Sequence, residues 1–186
     1  DDKLFFYGGI IGHAQGLTVI LKAAELLKSE QNIKFILMGS GPEKEDLQKM
    51  KSKLQLDNVF FFEPVTKLKM PHIVGAINAS IIPLRKLDLF LGAIPSKVFE
   101  NLSMEKPIIL GVDGEARQLF IEEGNCGLFF EPENHKVLAK KIMELASNPE
   151  LEIQLGKNGR KYVDLKFNRN NIANDFASKL NNLELN

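Results

Sequence analysis

The chain has 186 residues, 44% hydrophobic and 26% charged, which suits one domain of above-average size and argues against bulk disorder. Its 24 Lys and Arg balance 24 Asp and Glu, so the basic excess of a general nucleic-acid binder is missing and no nucleic-acid partner is expected. The one cysteine, Cys126, excludes an internal disulfide framework and fits a reducing compartment, and no apolar run reaches the length of a membrane-spanning helix. The chain opens Asp-Asp-Lys and turns strand-like at once, so no signal peptide is expected, and the start reads as a cut near a domain boundary of a longer protein.

Short apolar runs then alternate with helical periodicity to the end. KLFFYGG (3–9) reads as a strand running into glycines. In 17–30, Leu17, Ile20, Leu21, Ala24 and Leu27 share one face, the spacing of an amphipathic helix. IKFILMGSG (33–41) is a strand with a glycine turn, and 42–54 is a helix with Pro42 at its start and acids in its first turn. Strands follow at 58–64 and 79–84, with a short helix at 70–78 between them. After a loop and helix come a strand at 107–112, a helix at 114–124, a strand at 126–132 and a helix at 135–148. Everything beyond Pro149 reads as helix, with Ile172, Phe176, Leu180 and Leu183 in a stripe. Such alternation predicts an α/β fold: a Rossmann-like parallel sheet of six strands, helices on both faces, and a helical C-terminal tail over about 149–186.

Parallel sheets of this kind bind ligands beyond the carboxyl ends of their strands, at a topological switch point. That directs attention to the loops 8–16, 39–43, 63–69 and 85–97. In YGGIIGHAQG (7–16), Gly8, Gly9, Gly12 and Gly16 permit close backbone approach ahead of a helix. The spacing is neither the dinucleotide fingerprint nor a Walker A motif, so it serves equally as an anion cradle or as a tight turn. His13 in this loop reads as a solvated histidine. Gly39 to Gly41 read as a plain turn, and the three phenylalanines of FFFEPV (60–65) as core.

LFLGAIPSKVFENLSMEKPII (89–109) is more informative. Ser96 stands at the N-cap position of a helix, and a capping box would then need Glu or Gln at residue 99, where Phe99 stands. Glu100 therefore comes one residue too late to cap. A lysine at a helix start, here Lys97, opposes the helix dipole. It makes sense beside an anion: a phosphate would use Lys97 and free backbone N–H groups together, and a carboxylate one turn deeper can accept both hydrogen bonds of a vicinal diol such as ribose. The competing reading is a solvated Lys–Glu pair three residues apart.

GLTVILKAAELL, FILMGSGPEKEDL, NVFFFEPV, MPHIVGAINASIIPL, IPSKVFENLSMEKPIILGVDGEA and GLFFEPEN occur in the order seen in retaining glycosyltransferases of the large fourth sequence family, and over about residues 4–180 the chain resembles bacterial surface-polysaccharide enzymes of the aminosugar-transferring type. The most specific part is Pro-Ser-Lys-x-x-x-Glu followed by Lys-Pro-Ile-Ile. The resemblance implies one lobe of a GT-B fold, the C-terminal donor-binding lobe, with residues 1–186 as a single nucleotide-sugar-binding unit and the N-terminal acceptor lobe absent. It implies that Glu100, the second glutamate of an E-x7-E motif, holds the ribose. It also places Gly9, Gly12, Ser96 and Lys97 at the diphosphate, and the backbone of Val65 at the base. The first glutamate of that motif would fall at Gly92, so the loop Gly92, Ala93, Ile94 and Pro95 would face the donor sugar through its backbone. Many family members carry Arg and Lys in the first loop where this chain has Ile10 and Gln15; positive charge for the diphosphate then shifts to Lys97 and helix N-termini, with Arg85 as an extra.

The resulting expectation is a UDP-sugar-binding lobe whose parent transfers a sugar to a lipid-linked or saccharide acceptor, in capsule or lipopolysaccharide synthesis. No Asp-x-Asp and no His/Cys/Asp cluster with metal spacing is present, so metal-independent chemistry without a cofactor is expected. The isolated lobe should bind nucleotide and turn over poorly. A cytoplasmic location is expected, at the inner face of the membrane if the full-length protein associates peripherally. Two alternatives stay open: an interaction or regulatory module with no enzymatic parent, and another GT-B enzyme such as a nucleotide-sugar epimerase. The stripe of the tail would either turn toward the missing lobe or pack on the sheet.

Overall fold

A computed structural model describes residues 2–183. Six parallel strands form one sheet in the order β3-β2-β1-β4-β5-β6. They are β1 (Lys3–Gly8), β2 (Ile33–Met38), β3 (Val59–Phe62), β4 (Ala79–Pro83), β5 (Ile108–Gly111) and β6 (Gly127–Phe129). The chain builds outward from β1 to β3, returns to the far side of β1, and builds outward again to β6. The order reverses between β1 and β4, so the crevice above their carboxyl ends is the switch point.

Strand side chains alternate between two faces. Phe5 and Tyr7 of β1, Phe35 and Leu37 of β2, Ile81 and Ile109 pack under α1 (Thr18–Leu26), α2 (Lys44–Leu54) and α6 (His135–Ala146). Ile82, Ile108 and Leu110 point the other way, toward α4 (Lys97–Leu102), α5 (Glu115–Arg117) and α7 (Pro149–Lys166). Phe6, Met38 and Ile77 make a smaller cluster with Val65, Met70 and Ile73, beneath α3 (Met70–Ala76). The predicted stripe of α1 is buried throughout, from Leu17 to Leu27. Each large side chain so buried contributes about 1.5–3 kcal/mol.

Several expectations are corrected. The helix expected over 114–124 is regular only through Arg117 and then widens into a π-helix at Gln118–Glu123, closed by Gly124 N–H donating to Leu119 O at 2.9 Å. The wider turn seats Phe120 in an aromatic cluster with Phe99 at 5.5 Å and Phe167 at 5.7 Å between ring centroids. The expected helical tail is present, as two helices. It breaks at Phe167–Asn168, where Asn168 Oδ1 accepts from Asn170 N–H at 3.0 Å and starts α8 (Arg169–Leu183). Ile172, Phe176 and Leu180 are 51%, 61% and 46% exposed, so the stripe does not pack on the sheet; the Leu183 side chain lies outside the described residues. The phenylalanines of β3 are not all core either. On this edge strand Phe61 turns inward while Phe60 and Phe62 are 38% and 48% exposed. Among the described residues, no helix is long and apolar enough to cross a membrane.

Candidate functional site

The loops after β1 and β2 are stitched together before any ligand is considered. Gly9 N–H donates to Met38 O at 3.0 Å, Ile11 N–H to Ser40 O at 2.8 Å, and Glu43 N–H to Ile11 O at 3.1 Å. This is why Gly39 and Gly41 are glycines. They hold φ of 156° and 152°, and a Cβ at Gly39 would stand 1.8 Å from Gly9 O. The loop after β1 is also tied across the switch point, since Arg85 N–H donates to Ala14 O at 2.9 Å. The 39–41 segment is thus more than a plain turn: it is the support on which Gly9 rests.

Above this support lies a cleft of about 330 Å³. Gly9, Val65 and Glu100, three of the residues singled out from the sequence, line it together. Residues that reading passed over complete it, chiefly Ile10, Gly39, Ser40, Lys67 and Met70. Position after β2 and β3 was the available signal for Ser40 and Lys67, and the switch-point rule supplied it without naming side chains. Val65 reaches the cleft because its side chain packs with Phe6, Met38 and Ile77.

Lys97 does not line the cleft itself but lies behind Gly9, which does. Its Nζ lies 4.2 Å from the centre of the Tyr7 ring, and a Cβ built on Gly9 would meet it at 2.9 Å. Among the described residues no carboxylate lies within ion-pair distance of it. Burial lowers its pKa from 10.5 to about 8, against the partial opposition of Glu100. The reading of Lys97 and Glu100 as a solvated surface pair is therefore excluded for Lys97. Glu100 itself is exposed to the cleft.

The start of α4 differs from expectation. Ser96 occupies the N-cap position in helical conformation, and its side chain caps nothing. The N–H groups of Val98 and Phe99 already donate to Pro95 O and Ser96 O at 3.0 and 3.1 Å. They are not free for a phosphate, and a helix of six residues has little dipole to offer. What the first turn does supply is rigidity: Asn101 Nδ2 donates to Lys97 O at 2.7 Å.

The remaining candidates stand elsewhere. Gly12 is buried at the start of a short 3₁₀ turn, His13–Gln15. Ser96 faces a neighbouring groove shared with Glu100, Asp164 and Arg169. Gly92, Ala93, Ile94 and Pro95 do not line the cleft, and a side chain at Gly92 would meet nothing within 4 Å. Arg85 pairs with Glu133 at 3.6 Å instead of standing free for a diphosphate. His13 is exposed as expected, with Nδ1 2.6 Å from Glu43 Oε1. Among the described residues no three His, Cys, Asp or Glu side chains converge as a metal site.

Residues 1–162 match the family described as glycosyl transferases group 1. The chain belongs to that family. Alpha-D-kanosaminyltransferase of Streptomyces kanamyceticus is 23% identical over 95% of this chain and 45% of its own length. The putative colanic acid biosynthesis glycosyl transferase WcaI of Escherichia coli K12 is 24% identical over 97% of this chain and 43% of its own. The chain thus spans less than half the length of these relatives. Anabaena HepE, solved in complex with UDP-glucose, superposes with a TM-score of 0.82 at 15% identity, covering 98% of this chain and 49% of that one. At that identity the likeness shows the fold, a six-stranded lobe of GT-B type. The resemblance of the chain to polysaccharide-building glycosyltransferases and the expected sheet both hold.

Proposed function

We propose that the chain is the donor-binding lobe of a retaining glycosyltransferase and holds a UDP-sugar in the cleft above β1 and β4. The observation that carries this is Lys97: a half-buried ammonium without a carboxylate partner among the described residues, set against Gly9 at the switch point. A cation desolvated without compensation is costly as architecture. It becomes favourable when a diphosphate enters. Val65 would meet the base through its backbone and Glu100 the ribose hydroxyls, both from positions lining the same cleft. Gly12, Ser96 and the Gly92–Pro95 loop would contribute only if that loop moves toward the donor.

In the reaction, Lys97 would meet charge building on the departing diphosphate as an oxocarbenium-like sugar is attacked, and a preset cation costs no reorganisation at that moment. The acceptor, lipid-linked or saccharide, would come through a second lobe, so this chain alone would bind a donor and turn over poorly. A cytoplasmic site of action, at the membrane face where such acceptors are built, agrees with this reading. Support comes from the family match and from a like-folded protein solved with UDP-glucose.

Isothermal titration of the 186-residue chain with UDP, UDP-GlcNAc and GDP tests the proposal. Saturable heat with a uridine ligand is expected. No response to any of the three at millimolar concentration, or a Lys97→Ala, Glu100→Ala double variant that binds as well as wild type, refutes it.

A further inference from the structure

Tyr7 is a residue that the donor site as described leaves unused. It is the penultimate residue of β1 and is 1% exposed, yet its ring does not merely fill the core. One face of it carries the Lys97 ammonium at 4.2 Å. Its hydroxyl donates to the carbonyl of Ile10, which lines the cleft immediately after Gly9. A phenol that satisfies its own hydrogen bond inside the first loop is fixed in rotation, and the cation resting on it is fixed in turn. Lysine is a flexible point charge with four rotatable bonds, and holding it in one place costs entropy. An ordinary device for this is a carboxylate, which would also neutralise the charge. The negative face of an aromatic ring holds an ammonium without cancelling its charge, leaving it available to an anion.

We infer that Tyr7 is a positioning residue for the nucleotide diphosphate: its ring holds the Lys97 ammonium beside Gly9, where the phosphates of the donor would lie. This rests on the donor-site reading above. Tyr7 itself is too deeply buried to touch the ligand, so its influence runs through Lys97 and is confined to the phosphates. Uridine, which has base and ribose but no phosphate, should be indifferent to it.

Two measurements on the 186-residue chain test this. In the free protein, an ammonium over a ring places the Lys97 ε-methylene protons upfield by ring current, seen by NMR with ¹³C-labelled lysine and assigned by Lys97→Met. Tyr7→Phe should keep that shift and Tyr7→Leu should abolish it. In titrations, Tyr7→Leu should weaken UDP by about tenfold and uridine by less than about twofold, while Tyr7→Phe stays within about threefold of wild type for both. In a Lys97→Met background the same Tyr7→Leu change should leave UDP affinity unaltered. An ordinary ε-methylene shift in wild type overturns the inference. So does an equal loss of UDP and uridine, or an effect that persists without Lys97. If Tyr7→Leu fails to fold, the wild-type shift and the Tyr7→Phe titration decide. A wild-type chain that shows the ring-current shift but binds neither ligand identifies the donor reading as the error, and removes the nucleotide role of Tyr7 with it.

Discussion

Replacing Lys97 with methionine should make this protein more stable and a worse nucleotide binder, with the stability gain confined to one range of pH. Methionine keeps the length of the stem and removes the charge. The drop of the Lys97 pKa from 10.5 to about 8 corresponds to about 3 kcal/mol against the charged form in the fold. The side chain is half-buried, so solvent reduces that figure, and the lost Tyr7 contact offsets part of the gain, leaving about 1 kcal/mol in favour of the variant near pH 7. The sign follows from proton binding. The unfolded chain keeps the Lys97 proton up to 10.5 and the folded chain releases it near 8, so between those values the unfolded state holds more protons. Wild-type stability from this group therefore rises with pH across that window, and the gap to Lys97→Met closes. Urea unfolding of both proteins at about pH 7 and about pH 10 reads it out, alongside UDP titration at each pH. Below about pH 8, UDP should bind wild type at least about tenfold more tightly than the variant, and that advantage should shrink as Lys97 deprotonates. A variant less stable than wild type at neutral pH refutes the reasoning, as does an equal gap at both pH values or undiminished UDP affinity.

Glu100→Ala should weaken UDP by about tenfold and 2′-deoxy-UDP clearly less, since only the intact ribose offers both hydroxyls to the carboxylate; an equal loss for the two nucleotides would contradict the ribose assignment. The same change should lower the Lys97 pKa further below its value of about 8, because Glu100 is the group that raises it, and NMR titration of Lys97 would show an unmoved pKa if the two do not interact. Gly39→Ala should cost about 2–4 kcal/mol in urea unfolding, because the new Cβ meets Gly9 O and the backbone holds positive φ; a loss below about 0.5 kcal/mol would show that the two loops can separate freely. Phe120→Ala should cost about 3–5 kcal/mol by emptying the cluster that joins the π-helix to Phe99 and Phe167, checked by the same unfolding measurement; a small loss would mean that α4 is not anchored through it.

That Gly9, Val65 and Glu100 would come near one another could be read in advance because the signals are local. Glu100 falls one residue past the capping position, which needs only the count from Ser96 to Phe99. Val65 and Gly9 follow strand ends, and in a parallel sheet all strand ends lie on one side. Of the free N–H groups expected at the start of α4, those of Val98 and Phe99 are taken up, because Pro95 and Ser96 turn their carbonyls back onto them. The break at Phe167 was less legible: helical periodicity continues through it, and the Phe167 ring packs on Phe99 and Phe120 from distant parts of the chain while Asn168 starts the next helix.

The amino-acid sequence by itself determined the alternation of strands and helices, hence the parallel sheet and the side on which its strand-end loops gather, because hydrophobic period and turn residues act over a few neighbours. Only the tertiary structure decided which strands adjoin, that Gly39 must yield to Gly9, and that Lys97 lies on the ring of Tyr7. Those depend on contacts between residues about 20 to 90 positions apart, and it is their packing that makes the lysine at the start of α4 a half-buried cation set where an anion would complete it.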